Sequence, residues 1–296
     1  MFSNKDLRNM IVPLLFEQLL VKLVGIMDTF IVSYAGEAAV SGVSLVNSFN
    51  TIFIYLFTAL ASGGAVVISQ YIGNQDKKNS ILSSSQLVMF SCIFSIVVSV
   101  VVLLFQKPIL SGLFGRVDGD VMDACMTYLR ISAYSYPFIA IYNAGASLYR
   151  SMAKTKTTMN ISLVSNLINI IGNYIGVFVV RAGVAGVAVP SLIARAFSAI
   201  VITCLCFDAQ LAAYYTKEGI LTWDSAMLKR VLNIAVPNGI ENGIFQFVKV
   251  ALSSVVALFG TYQIAANGIA QSIWSLAALM GVALGPVYIT VLGQGM

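Results

Sequence analysis

Histidine is absent from the 296 residues, and charge is scarce: Asp, Glu, Lys and Arg together make up 10% of the chain. Without an imidazole there is no Ser-His-Asp triad, no HExxH zinc site and no histidine proton relay. A soluble domain of this size carries about a quarter charged residues. The low charge therefore excludes an ordinary cytosolic enzyme, and the high apolar content excludes a disordered chain. Cysteine is sparse as well. The four present (Cys92, Cys125, Cys204, Cys206) lie in or beside apolar stretches at no metal-ligand spacing, which excludes a secreted disulfide scaffold and leaves them as small core residues. No paired aspartates form an intramembrane-protease motif, so no nucleophile and base can be assembled. What fills the chain instead is apolar surface. It is 58% hydrophobic with a mean hydropathy of +0.88, the composition of a polytopic membrane protein.

Eight apolar stretches are long enough to cross a bilayer as helices, which takes about 20 residues each. They run over residues 11–34, 45–72, 84–106, 124–150, 157–180, 183–208, 230–258 and 262–293. The expected fold is an all-α membrane bundle of eight transmembrane helices. Glu17, Lys22 and Asp28 interrupt the first stretch, which is also too long for a cleaved signal segment.

The loop charges set an orientation. Lys5, Arg8, Lys77, Lys78, Arg150, Lys154, Lys156, Lys217, Lys229 and Arg230 fall on the N-terminal side, against Lys107, Arg116 and Arg181 on the other. The positive-inside rule places the N-terminus in the cytoplasm. The net charge of +5 is then a topology signal, and its spread over short loops without interleaved aromatics excludes a nucleic-acid patch.

The chain also matches itself at a constant offset of 224 residues. Asn9 falls on Asn233, Val12 on Val236, Pro13 on Pro237, Glu17 on Glu241, Gly36 on Gly260, Ser48 on Ser272 and Gln70 on Gln294. Six expected helices separate the copies, so both begin on the same side of the membrane, as parallel repeats of secondary transporters do. The repeat divides the chain into a first six-helix lobe over 1–210, a cytoplasmic linker over 211–229, and the start of a second lobe over 230–296. A second copy of equal length would run to about residue 448, so the chain reads as truncated after its eighth helix.

Several segments together carry a family resemblance: SQYIGNQD (69–76), YLRISAYSYPFIAIYNAGASLYRSMAKTKTTMNISLVSNLINIIGNYIGVF (128–178), GVAGVAVPSLIARAF (183–197), PNGIENGIFQF (237–247) and IAANGIAQSI (264–273). With Pro13, Asp28 and GEAAVSGVSL, they resemble the MATE (multidrug and toxic compound extrusion) family of cation-coupled antiporters. That resemblance implies two six-helix bundles around a central cavity. It also implies export of organic, amphipathic cations in exchange for H+ or Na+, in the plasma (inner) membrane, with no cofactor and as a monomer when full length. The sequence departs from the family pattern at Ala153-Lys154, where Gly-Asp is common, at Asn173, a frequent Asp, and at Glu241, about one turn short of the usual helix 7 glutamate. A lipid-linked oligosaccharide flippase of the same superfamily is the alternative, as is a non-functional fragment. Flippase cavities are typically lined by several cations, and here the embedded ones are only Lys22, Arg130, Arg195 and Lys249.

Asp28 is the first candidate site residue. A carboxylate in an apolar helix costs about 2.5–3.5 kcal/mol on insertion scales and needs a function or a partner. A structural pair with Lys22 or Arg130 is the competing reading, but its repeat counterpart is Leu252, so helix packing itself does not require an acid there. Asn166, Asn169 and Asn173 share one helix face, where they serve either as oxygen ligands for a hard cation or as interhelical hydrogen bonders. The resemblance favours Asn169 and Asn173 as cation ligands, giving an expected H+ or Na+ site at Asp28, Asn169 and Asn173. Glu17 and Glu241 hold equivalent places in the two repeats. Glu17 reads as an acid bonding helix ends, while Glu241 stands between that role and ion coupling. Pro13 and Pro237 either hinge their helices or sit harmlessly in first turns. Tyr134, Phe138 and Tyr142 form a stripe that either packs the core or faces an organic cation.

Overall fold

Backbone groups within a bilayer have no water to bond, so long apolar segments satisfy them inside helices. The computed structural model describes residues 3–114, 118–257, 270, 274 and 277–295, and every regular element among them is helical. In chain order these are α1 (Asn4–Ser33), α2 (Glu37–Gly73), α3 (Lys77–Leu104), α4 (Gln106–Phe114), α5 (Gly119–Tyr134) and α6 (Tyr136–Ser151). They are followed by α7 (Thr155–Tyr174), which runs into a π-helical turn over Ile175–Val179, then α8 (Ala185–Cys206), α9 (Lys217–Leu221), α10 (Ser225–Ala257) and α11 (Leu279–Gly295).

Five helical segments are long and apolar enough to cross a membrane among the described residues: Asn4–Ser33, Glu37–Gly73, Lys77–Leu104, Thr155–Val179 and Ala185–Cys206. This corrects the expectation of eight. The apolar stretch 124–150 is not one span. It divides at Ser135 into α5 and α6, each 16 residues long, or about 24 Å. Pro137 is the physical reason, because it has no N–H to offer the carbonyl of Ala133. The Ser99 hydroxyl of α3 donates to that carbonyl instead, at 2.7 Å. The seventh stretch does form the 33-residue helix α10, but Asn233, Asn238, Glu241 and Asn242 dilute its apolar run. Much of the eighth stretch lies outside the described residues, and what is described of it includes the 17-residue helix α11.

The long helix α2 is the hub, packing against α3, α5, α6, α10 and α11. At Gly63 the backbone of α10 comes so near that a Cβ would stand 2.7 Å from the Cβ of Ala235, a distance only glycine avoids. One core gathers Val46, Leu129, Ala133 and Tyr136, and a second gathers Ile68, Leu87, Leu148, Ile202 and Val231. A third, smaller one joins Met10 and Leu14 of α1 to Ala283 and Val287 of α11.

The polarity of α3 is inverted relative to a soluble helix. Ser80, Ser83, Ser84, Ser85, Gln86, Ser91, Ser95 and Ser99 are buried, while Ile93, Ile96, Val97, Val100, Val101 and Leu104 are exposed. Lipid is as apolar as Ile or Val, so small side chains go inward, where they let helix backbones approach.

Candidate functional site

Asp28 lies in the last third of α1, half-buried, on the face that packs against α7. The i, i+4 spacing of Asn169 and Asn173 puts both amides on one face of α7, and that face meets Asp28. The Asn173 Nδ2 donates to Asp28 Oδ1 at 2.7 Å and to Asn169 Oδ1 at 3.1 Å. The Asn169 Nδ2 donates to Ser191 Oγ of α8 at 2.8 Å, and Ser191 donates onward to the Val187 carbonyl at 3.0 Å. A relay of amides and hydroxyls thus links three helices to one carboxylate.

The Asn173 Nδ2 spends its hydrogens on two acceptors, and its Oδ1 is buried with no hydrogen-bond partner among the described residues. A carboxylate beside an unfilled amide oxygen is a donor set suited to a hard cation, or to a proton on the acid. Asp28 pairs with neither Lys22 nor Arg130. The salt bridge found among the described residues lies elsewhere on α1.

Asp28 also borders a cavity of about 100 Å³ whose walls include Val43, Ser44, Asn47, Tyr128 and Val187. There the Tyr128 hydroxyl donates to Asn47 Oδ1 at 3.1 Å. The carboxylate therefore stands between the amide relay and an open space.

Glu17, eleven residues earlier on α1, has a different environment. It is 4% exposed, and its Oε1 accepts from Arg150 Nη2 at 2.7 Å, while Oε2 accepts from the Thr158 hydroxyl at 3.3 Å. Arg150 lies in the last turn of α6, and Thr158 lies in the first turn of α7. Nearby, Pro13 sits well inside α1, where it cannot bond the Asn9 carbonyl. The Thr155 hydroxyl of α7 takes that role, at 3.2 Å from both the Asn9 and Met10 carbonyls.

The other expected site residues are dispersed. Asn166 is half-buried, and its Nδ2 has no partner among the described residues. Tyr134 is 54% exposed at the end of α5, and Phe138 is half-buried on α6. Tyr142 donates weakly to the Thr158 carbonyl, at 3.5 Å. Glu241 is exposed on α10 and shares no hydrogen bond with the Asp28 cluster among the described residues, and Pro237 is exposed within the same helix.

Sequence reasoning missed Ser191, Ser44, Asn47 and Tyr128. Ser44 and Asn47 stand among Ser41, Ser48 and Asn50, and Tyr128 stands between Thr127 and Arg130, so no pattern in the sequence singles them out, while Ser191 is one small hydroxyl after Pro190.

The MatE family model matches residues 13–175. The chain is 24% identical over 276 residues to the uncharacterized transporter YisQ of Bacillus subtilis, covering 92% of this chain and 60% of that protein. It is 23% identical over 298 residues to the probable multidrug resistance protein NorM of Thermotoga maritima, covering 98% of this chain and 63% of the relative. Among solved structures, a MOP-superfamily transporter from Pyrococcus furiosus superposes with a TM-score of 0.90 at 18% identity, over 98% of this chain and 65% of the other. The chain therefore spans less than two thirds of the length of these proteins.

Proposed function

The chain belongs to the MatE family, and from that premise we propose that it works as a secondary antiporter that expels amphipathic organic cations in exchange for H+ or Na+. The observation that carries this reading is the partnership of Asp28. The acid is held by the Asn173 amide, next to the buried Asn173 Oδ1, with no ion-pair partner among the described residues. A carboxylate so placed keeps its negative charge available to an exchangeable cation.

Binding H+ or Na+ neutralises Asp28 and removes a burial cost of about 2.5–3.5 kcal/mol on insertion scales. A ligand shifts a conformational equilibrium by its differential affinity for the two states. Neutralisation biases the packing of α1 on α7 in this way, and the change in packing couples ion entry to substrate exit. Asn169 and Asn173 orient the acid and contribute carbonyl oxygens. Glu241 is the candidate carboxylate of the second repeat, with residues 1–210 as first lobe, 211–229 as linker and 230–296 as the start of the second. The excess of basic residues in the loops on the N-terminal side of the sequence supports a cytoplasmic N-terminus in a plasma membrane, with the protein working as a monomer.

The test is ethidium extrusion from vesicles under an imposed proton or sodium gradient. Asp28→Asn is expected to abolish gradient-driven extrusion while leaving the amount of folded protein unchanged. Extrusion at the parental rate would sink the assignment, and the gradient that drives the parent identifies the coupling ion.

A further inference from the structure

The segment after α8 is bound to α3 by side chains that do nothing else. Gln86, fully buried, donates from Nε2 to the carbonyls of Gly219 at 2.7 Å and Thr222 at 2.5 Å. Its Oε1 accepts from the Asp224 N–H at 3.0 Å. One residue earlier, Ser85 Oγ accepts from the Thr216 N–H at 3.1 Å. Four backbone groups between residues 216 and 224 are thus fixed to adjacent positions on one helix. The segment is a strap held against the bundle.

The face of α3 it covers is informative. The exposed apolar stripe of α3 begins at Ile93 and continues through Ile96, Val97, Val100, Val101 and Leu104. Gln86 precedes Ile93 by seven residues. Two helical turns bring it back to the same face within about 20° and shift it about 10 Å along the axis. The strap therefore lies on the side of α3 that faces lipid, one step beyond the apolar stripe, at the depth where hydrocarbon gives way to headgroups.

Its outer surface suits that depth. Leu221 is 84% exposed, the most exposed large apolar side chain among the described residues, and Trp223 is 59% exposed. The indole N–H of Trp223 is satisfied by Ser225 Oγ at 3.1 Å, so its ring presents an apolar surface. Lys217, Lys229 and Arg230 are exposed on and just after the segment, Arg230 also meeting Tyr71, with Glu218 exposed and Asp224 half-buried as the acids among them. Tryptophan and lysine at helix ends anchor proteins in the interface, and basic groups there meet anionic headgroups.

From this geometry we infer that residues 216–224 form an interfacial strap: Gln86 and Ser85 hold it to α3, and Leu221 and Trp223 insert into the headgroup region of the bilayer. The linker that leads into α10 is then anchored to the membrane surface and is not a free tether. This inference is independent of the transport reading.

The chain has two tryptophans, so Trp274→Phe leaves Trp223 as the sole indole. This variant is reconstituted into phosphatidylcholine–phosphatidylglycerol vesicles carrying bromine high or deep on the acyl chain. The expected result is loss of Trp223 emission that is greater with shallow than with deep bromine, and weak quenching by aqueous iodide. Emission quenched by iodide and untouched by bromolipid overturns the proposal, as does emission protected from all three quenchers, which would mean that a protein partner covers the strap. Stronger quenching by deep bromine also overturns it. Adding Gln86→Ala to the same variant is expected to raise iodide quenching and lower the shallow-bromine effect, and no change would remove Gln86 from the account.

Discussion

Two carboxylates on one helix, eleven residues apart, have been given opposite partners. Glu17 faces the guanidinium of Arg150 at 2.7 Å, and Asp28 faces the amide of Asn173 at the same distance. An arginine cannot give up its charge, so Glu17 is neutralised permanently and is locked into the junction of α1, α6 and α7. An amide stabilises a carboxylate without cancelling it. Asp28 thus has no ion-pair partner among the described residues, and under the proposed function an exchangeable cation fills that role. On the proposed reading, the same residue chemistry serves structure at one end of α1 and exchange at the other, and the partner decides which.

The largest expected effect comes from erasing this difference on the exchange side. Asp28→Asn keeps a hydrogen-bonding side chain of the same size, so thermal unfolding in detergent should change by less than about 1 kcal/mol, while gradient-driven extrusion is lost. On the structural side the pattern reverses. Glu17→Ala leaves the Arg150 charge unpaired and should cost about 3 kcal/mol of stability, the low end of the range for a broken buried pair, because Arg150 retains 23% side-chain exposure. The double change Glu17→Gln, Arg150→Met should recover most of that loss, as read from denaturant midpoints.

A smaller effect is expected from Asn173→Ala, which leaves the acid without its amide donor. It should cost about 1–2 kcal/mol and weaken Na+ binding measured by isotope uptake, with Asn173→Asp altering the ion response and not the fold. The smallest is Thr155→Val. It removes the hydroxyl that serves the carbonyls of Asn9 and Met10 beside Pro13, a bond worth about 0.6 kcal/mol in membrane proteins. Amide exchange in the first turns of α1 should rise while Asp28 continues to function.

The comparison also shows what a one-dimensional reading can and cannot reach. Asn169 and Asn173 are visible as a pair because helical spacing alone puts them on one face, and Asp28 is visible because an acid in an apolar run is costly. Their meeting is not visible in the same way: Asp28 and Asn173 are 145 residues apart, and only a family resemblance linked them. Arg150 has a second role that the sequence hides for a related reason. A basic residue at the end of an apolar stretch counts as a loop charge in an orientation argument, yet it pairs with an acid 133 residues away.

The expected single helix over 124–150 failed because hydropathy does not register the missing N–H of Pro137. The Ser99 hydroxyl that replaces it belongs to another helix. Likewise Asn47, Tyr128 and Ser191 are ordinary in isolation and become part of a site only through packing.

The most direct test of the contrast between Glu17 and Asp28 is difference infrared spectroscopy of the carboxyl groups as H+ or Na+ is added to the reconstituted protein. The expected result is a carboxylate signal that disappears in Asp28→Asn and persists in Glu17→Gln. A signal that persists in Asp28→Asn and disappears in Glu17→Gln would contradict it.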